Sequence, residues 1–339
     1  MTSTIVLFAL LVFGLLGSML LWGLLLRLGL RWANVDAVTW PRVAWVTCPV
    51  FTTQVVLTLG TTGVVLVNRR LAPAAVLLLF VANVGVPCAV TMQVFRVSLW
   101  RALQAWVPTL VTAIVSPLLI EFFIRPYVVE AFVSPSNAMA PTLLGDHWVG
   151  TCVECGSSAF SSPVPDYALR HDPLMICRDN FHVMVPVDYS KHDSGPDRFL
   201  AAKYLSPARW DLAVFRYPAD PETLYVMRVL GLPGEEITIE DGKVRANGAV
   251  LTPPAALRGL EYANEMEGAD WDIWGSPQQP AQLGDDEYFV LGDFSARSKD
   301  SRMWQDGAPG HKPFAVPASY MQGVVTHIYW PPSRWRMLR

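Results

Sequence analysis

Apolar residues run through the first third of the chain almost without interruption. Four stretches are each long enough to cross a bilayer core, which takes about 20 helical residues. They are Thr4 to Leu26, Val43 to Val67, Leu71 to Phe95 and Leu103 to Ile124. The pattern predicts a multi-pass α-helical membrane region over residues 1–124, with spans at 4–26, 43–67, 71–95 and 103–124. The first stretch has no charge, no basic n-region and no small-x-small exit, so it reads as a span and not as a removable signal. The second is diluted by Thr47, Thr52, Thr53, Gln54, Thr58, Thr61 and Thr62. The fourth carries Pro108 and Pro117, which kink a helix, and Glu121. That carboxylate lies within one turn of the span's end, where it reaches interfacial water, which is a better reading than an intramembrane acid.

Beyond Arg125-Pro126 the period changes. Short runs rich in Val, Ile, Tyr and Phe alternate with Gly, Pro and Asp, as at Leu212–Tyr217, Tyr225–Leu230, Glu236–Ile239, Lys243–Ala246, Tyr288–Leu291 and Gly323–Trp330. Asp241-Gly242 and Asn247-Gly248 are hairpin turns. The pattern predicts a mostly antiparallel β domain over 125–339, with insertions at about 152–200 and 253–285. There is no repeat of solenoid type.

Charge separates the same two regions. Residues 1–124 hold only Arg27, Arg31, Arg42, Arg69, Arg70, Arg96 and Arg101 against Asp36 and Glu121. Most of the 26 basic and 29 acidic residues therefore lie in 125–339, where acids are in excess. One soluble domain is excluded, and an acidic outer part argues against a nucleic-acid partner. Arg27, Arg31 and Arg42 in the first loop and Arg96 and Arg101 in the third outnumber Arg69 and Arg70 in the second. The positive-inside rule then places the first and third loops in the cytoplasm and the C-terminal domain outside a cytoplasmic (inner) membrane, in contact with its lipid.

Three segments of the C-terminal part carry a family likeness. The first is Pro135-Ser136-Asn137-Ala138-Met139-Ala140-Pro141-Thr142-Leu143. The second is Asp211–Pro218 followed by Tyr225-Val226-Met227-Arg228-Val229-Leu230-Gly231-Leu232-Pro233-Gly234-Glu235. The third is Leu291-Gly292-Asp293-Phe294 with Ser298-Lys299-Asp300-Ser301-Arg302-Met303-Trp304, and Gly323–Pro331 closes the set. In this order they resemble the boxes of bacterial signal peptidase I, a family of membrane-anchored serine endopeptidases that release exported proteins from their signal peptides. The resemblance implies a β domain of signal-peptidase type, substrate held as an extended strand, and serine–lysine chemistry that needs no cofactor.

The residues that the chemistry requires are absent. By resemblance the nucleophilic serine belongs at Ala138 and the general-base lysine at Met227. A methyl cannot attack a carbonyl, and a thioether cannot take a proton at physiological pH. Losing a nucleophile or its base costs on the order of 10⁶ in rate, and the surviving site gives roughly 10³–10⁴ over water. Methionine also fits a slot that disfavours a charged lysine, because it has similar length and no charge. Ser136 would by resemblance assist an oxyanion hole with the N–H of Ala138. As a substitute nucleophile it would lie on the same side of an extended strand as position 138. None of His147, His171, His182, His192, His311 and His327 stands at a family base position. Ser298 would orient the missing lysine, while Asp300 and Arg302 form a structural ion pair. Phe294 replaces the family's usual asparagine, and Asn137 its frequent glycine.

Cys48 and Cys88 fall in apolar stretches and read as small apolar residues. Cys152-x-x-Cys155, with Cys177 further on, resembles a zinc ribbon whose fourth position is Asn180, and His182 or His171 could complete a Cys₃His set. A structural zinc, a disulfide and free thiols all remain open.

Three functions compete. The first is a catalytically deficient homologue whose remnant cleft holds signal peptides or preproteins, or regulates an active paralogue. The second is an active signal peptidase I using a non-standard nucleophile. The third is a membrane scaffold whose spans carry the function; they lack paired charges that would suggest transport.

Overall fold

The computed structural model describes residues 2–67, 72–163, 173–186, 188–263 and 273–339. Arg69, Arg70 and His171 lie outside the described residues. The chain forms two compact units, Met1–Phe122 and Phe123–Arg339.

The first unit is helical: α1 (Thr2–Trp32), α2 (Trp40–Val67), α3 (Ala72–Phe95) and α4 (Leu99–Leu119). A π-helical turn, Ile120–Ile124, follows Pro117 and contains Glu121. Removal of a backbone donor by proline accounts for such a local change of winding. Among the described residues, three stretches are long and apolar enough by length and composition to cross a membrane: Gly14–Trp32, Leu77–Phe95 and Leu99–Tyr127. α2 holds none of them, because its threonines dilute it. Several of those hydroxyls nevertheless bond back within the helix, Thr47 to the Val43 carbonyl (2.9 Å) and Thr61 to that of Leu57 (2.7 Å). Leu26, Leu30, Val46, Ala102, Ala105 and Trp106 form the inner seam. A Cβ on Gly29 would lie 1.9 Å from the Ala105 carbonyl oxygen, so glycine is what lets α1 and α4 approach this closely. Leu20, Trp45, Val81 and Ile114 face outward.

The second unit is antiparallel β throughout its ladders. Its strands are β1 (Val129–Val133), β2 (His147–Thr151), β3 (Ser158–Ser161), β4 (Met175–Cys177), β5 (Val183–Met184), β6 (Tyr189–Ser194), β7 (Arg198–Ala202), β8 (Leu212–Tyr217) and β9 (Asp220–Gly231). Then come β10 (Glu236–Glu240), β11 (Lys243–Ala246), β12 (Ala249–Val250), β13 (Ala281–Gln282), β14 (Glu287–Leu291), β15 (Val316–Pro317), β16 (Met321–Trp330) and β17 (Arg336–Met337). The main sheet runs β1-β7-β16-β8-β9-β14-β15, with β17 on β16; β12-β11-β10-β13 and β5-β4-β3-β2-β6 form two smaller sheets. Asp241-Gly242 and Asn247-Gly248 turn β10 into β11 and β11 into β12 with positive φ at all four residues, as type I′ turns demand.

The regions expected as insertions are more integral than their composition indicates. Residues 152–200 supply four strands of the five-stranded sheet, and their end is β7, which lies between β1 and β16 in the main sheet. Alternation in Arg198–Ala202 is short and was masked by the polar residues before it. Residues 253–285 send Leu257, Leu260, Tyr262 and Leu283 into the core beside Ile237 and Phe289.

Candidate functional site

The first box does not continue β1. The chain leaves the strand at Val133 and turns at 136–142. The Ala138 N–H donates to Ser136 Oγ at 3.4 Å, Ala140 N–H to the Asn137 carbonyl at 3.0 Å, and Leu143 N–H to that of Met139 at 2.9 Å. The extended-strand relation expected between positions 136 and 138 is therefore replaced by a local turn, because the serine hydroxyl competes for the backbone donor. Asn137 fastens this turn: its Nδ2 donates to the Asp146 carbonyl (2.6 Å) and Ser162 Oγ (3.2 Å), and its Oδ1 accepts from Gly145 N–H (3.0 Å).

Position 138 is also fixed from the third box. Phe294 N–H donates to the Ala138 carbonyl at 3.0 Å, while the Phe294 ring is buried in the core. A Cβ on Gly292 would lie 2.1 Å from Ser298 Oγ and 2.7 Å from the Ala138 carbonyl oxygen. Gly292 thus draws Ser298 and Ala138 into one small volume. The Gly292→Ala variant should lose about 1–3 kcal/mol through overpacking. Thermal unfolding of the purified chain would check this, and an unchanged midpoint would mean that the box is looser than described.

Ser298 Oγ is buried without a hydrogen-bond partner among the described residues. Met227 lies in β9 opposite Ala213, 3% exposed, in the same apolar cluster as Met139, Val214 and Phe215. β9 pairs with β14 only from Arg228 onward, so Tyr225–Met227 are paired on the β8 side alone among the described residues.

Two buried ion pairs frame these positions. Asp300 accepts Arg302 Nε at 2.9 Å and Nη2 at 2.8 Å, and the Gly292 N–H at 3.0 Å. Arg302 also donates to the Ala263 carbonyl (2.6 Å) and to Ser295 Oγ (2.9 Å). Sequence reasoning placed Arg228, Thr142 and Asp293 in the boxes without a role, yet they form a second cluster. Arg228 Nε and Nη2 reach Asp293 at 2.7 and 2.6 Å, and Thr142 Oγ1 donates to Asp293 at 2.5 Å. Burial opposes the charge on Arg228, but the Asp293 carboxylate outweighs it and the guanidinium pKa lies above its ordinary value. Tyr262 is buried near both pairs; burial, then the Asp293 charge, push its phenol well above the usual range. No periodicity in 253–285 marks this tyrosine, so only packing reveals it.

Among the described residues, no histidine hydrogen-bonds to Ser136 or Ala138. His147 is buried, with Nδ1 2.8 Å from the Gly145 carbonyl, and burial lowers its pKa. His311 Nδ1 is 3.1 Å from Glu287, and His327 pairs within the main sheet. Cys152, Cys155 and Cys177 bring their sulfurs within 4.8 Å of one another, and all three are free thiols. His182 stands outside this group, its Nδ1 3.4 Å from Glu154. Hydrogen bonds with Ser157 bring the Cys155 thiol down to about 7, whereas burial pushes Cys177 up to about 11.

A family model described as signal peptidase, peptidase S26 matches residues 103–330. The signal peptidase I of Pseudomonas fluorescens is 33% identical over 115 residues, 30% of this chain and 40% of that protein. The probable signal peptidase I-1 of Synechocystis is 26% identical over 245 residues, covering 70% of this chain and 88% of the relative. A crystal structure of a signal peptidase I from Enterococcus faecalis V583 is similar at 25% identity over 36% of this chain and 98% of that one, with a TM-score of 0.25. The first curated relatives are matched over about 40% of their own length. With the family match running over well more than half of the sequence and through all three boxes, the chain belongs to the signal peptidase, peptidase S26 family.

Proposed function

We propose that this chain is a non-cleaving signal-peptidase homologue that holds an exported or signal peptide in its remnant cleft. The observation that carries this is the pair of side chains at the family's catalytic positions: Ala138, and a Met227 sealed in an apolar cluster. Neither can act as the nucleophile or take a proton at physiological pH. The frame around them is kept, with Ser136 at the Ala138 N–H, Ser298 beside Gly292, and the Asp300–Arg302 pair. Backbone recognition does not depend on the lost groups. The edge of Tyr225–Met227 free of β14 has the donors and acceptors for adding a peptide strand. With all four apolar helices taken as spans, the arginine bias of their loops puts the β unit on the outer side of the cytoplasmic membrane. An active paralogue is the natural counterpart for such a binder.

The test uses the full chain in lipid or detergent with a preprotein bearing a small-x-small site. Binding without cleavage is expected. Cleavage that disappears in Ser136→Ala would overturn the reading and make Ser136 the nucleophile.

A further inference from the structure

The five-stranded sheet carries a cluster that peptide binding does not use. Its two hairpins end in turns that repeat one another. In the first, between β2 and β3, Cys152 N–H donates to the Ser157 carbonyl at 2.8 Å, and the residue after Cys155, Gly156, has φ +72°. In the second, between β4 and β5, Cys177 N–H donates to the His182 carbonyl at 2.9 Å, and the residue after Asn180, Phe181, has φ +58°. Each turn thus joins residue i to i+5 and places i+4 in the left-handed region. Glycine takes that conformation freely, whereas a phenylalanine there is strained and must be held by its surroundings. β3 pairs with β4, matching Ala159 to Cys177, so the two turns lie at the same end of the sheet. The Arg178 N–H adds a bond across them to the Ser158 carbonyl at 2.9 Å.

The turns present residues i and i+3 toward each other. Three of those four positions are cysteines, with Cys155 Sγ and Cys177 Sγ 3.5 Å apart. Tetrahedral zinc with Zn–S bonds of about 2.3 Å separates its sulfurs by roughly 3.8 Å. The observed triangle, no wider than 4.8 Å, needs little adjustment to that spacing. The fourth position is Asn180, and its side chain is committed elsewhere. Its Nδ2 donates to Glu154 and its Oδ1 accepts the His182 N–H, both at 3.0 Å. Cys155 is exposed while Cys152 and Cys177 are buried, so the triangle has one side toward solvent.

We infer that Cys152, Cys155 and Cys177 bind one Zn²⁺ as three thiolates, with Asn180 leaving the fourth coordination position to solvent. Binding releases the thiol protons to water and clamps the two hairpin turns together. Closed four-thiolate sites are structural, whereas an open position admits an exchangeable ligand. The peptide-binding reading and this site stand or fall separately.

The full chain, stripped with a chelator under reducing conditions, would be titrated with Zn²⁺ alone and with Co²⁺ as the spectroscopic probe. About one ion per chain is expected, with a sulfur-to-cobalt charge-transfer band. Cys155→Ser, at an exposed position, should weaken binding at least about tenfold while preprotein binding persists. Asn180→Cys should tighten binding by a similar factor and intensify the band. A wild-type chain that keeps three free thiols under Zn²⁺, or that holds a Cys155–Cys177 disulfide resistant to mild reductant, would overturn the site. Equal affinity of Asn180→Cys and wild type would overturn the repeated-turn geometry on which the fourth position rests.

Discussion

The Ala138→Ser, Met227→Lys double variant is expected to cleave a small-x-small preprotein that the natural chain is expected to leave intact. Nucleophile and base act as one unit, so the gain should be on the order of 10⁶ over either single variant, and the single variants should stay inert. The reason to expect recovery is the frame. Gly292 leaves room beside it for both Ser298 and the Ala138 carbonyl, and Ser298 Oγ is a buried hydroxyl with no hydrogen-bond partner among the described residues. By the family resemblance, a lysine at position 227 is the partner that Ser298 would orient. It would sit among Val214, Phe215 and Met139, where burial disfavours its ammonium form. Cleavage should therefore rise with pH as the amine becomes neutral. Met227→Lys alone should lower stability most at low pH, because the folded state then forces a charge into the apolar cluster. A folded double variant that binds preprotein and never cleaves it would show that the cleft has drifted beyond its two missing residues.

Arg302→Met should lower the stability of the β unit by about 3–5 kcal/mol, since it strands the Asp300 carboxylate in the interior. Both side chains of this pair are 0% exposed, so water cannot replace the guanidinium. The change also frees the Ala263 carbonyl and Ser295 Oγ. For a unit of this size the midpoint should fall by roughly 6–20 °C. The same measurement on Asp300→Leu, Arg302→Met tests the cause, because replacing both partners removes the isolated charge and should recover part of the loss. A midpoint that does not move with Arg302→Met would mean that the pair is not what braces Gly292.

The fold was legible where one physical period dominates. The long apolar stretches are helices, and Lys243–Ala246 and Leu212–Tyr217 are strands with the bounds that their alternation and turn residues indicate. It was obscured where burial overrides composition. Residues 253–285 look like an insertion rich in Pro, Gly and acids, yet Leu257 and Tyr262 fill the core. β7 is too short, and too close to polar residues, to announce itself as an inner strand.

The site divides in the same way. The identities at 138 and 227 can be read directly, and a methyl and a thioether have their chemical limits in any fold. The turn at Ser136–Ala138 could not be read, because it depends on a side-chain oxygen winning a backbone donor from the strand. The Thr142–Arg228–Asp293 cluster joins residues from three separate boxes. The spacing Cys152-x-x-Cys155 indicated a metal-ribbon turn, but only β3–β4 pairing brings Cys177 within 3.5 Å of Cys155.

By itself, then, the sequence determined the apolar helices, the antiparallel β unit, the family boxes and the identities, Ala138 and Met227, at the positions that the resemblance assigns to nucleophile and base. These follow from local periodicity and from the chemistry of single side chains. Tertiary structure alone decided which buried charges pair, that Ser298 Oγ has no hydrogen-bond partner among the described residues, and that three thiols converge. Those facts depend on contacts between residues far apart in the chain, which pairing of strands creates and no local pattern encodes.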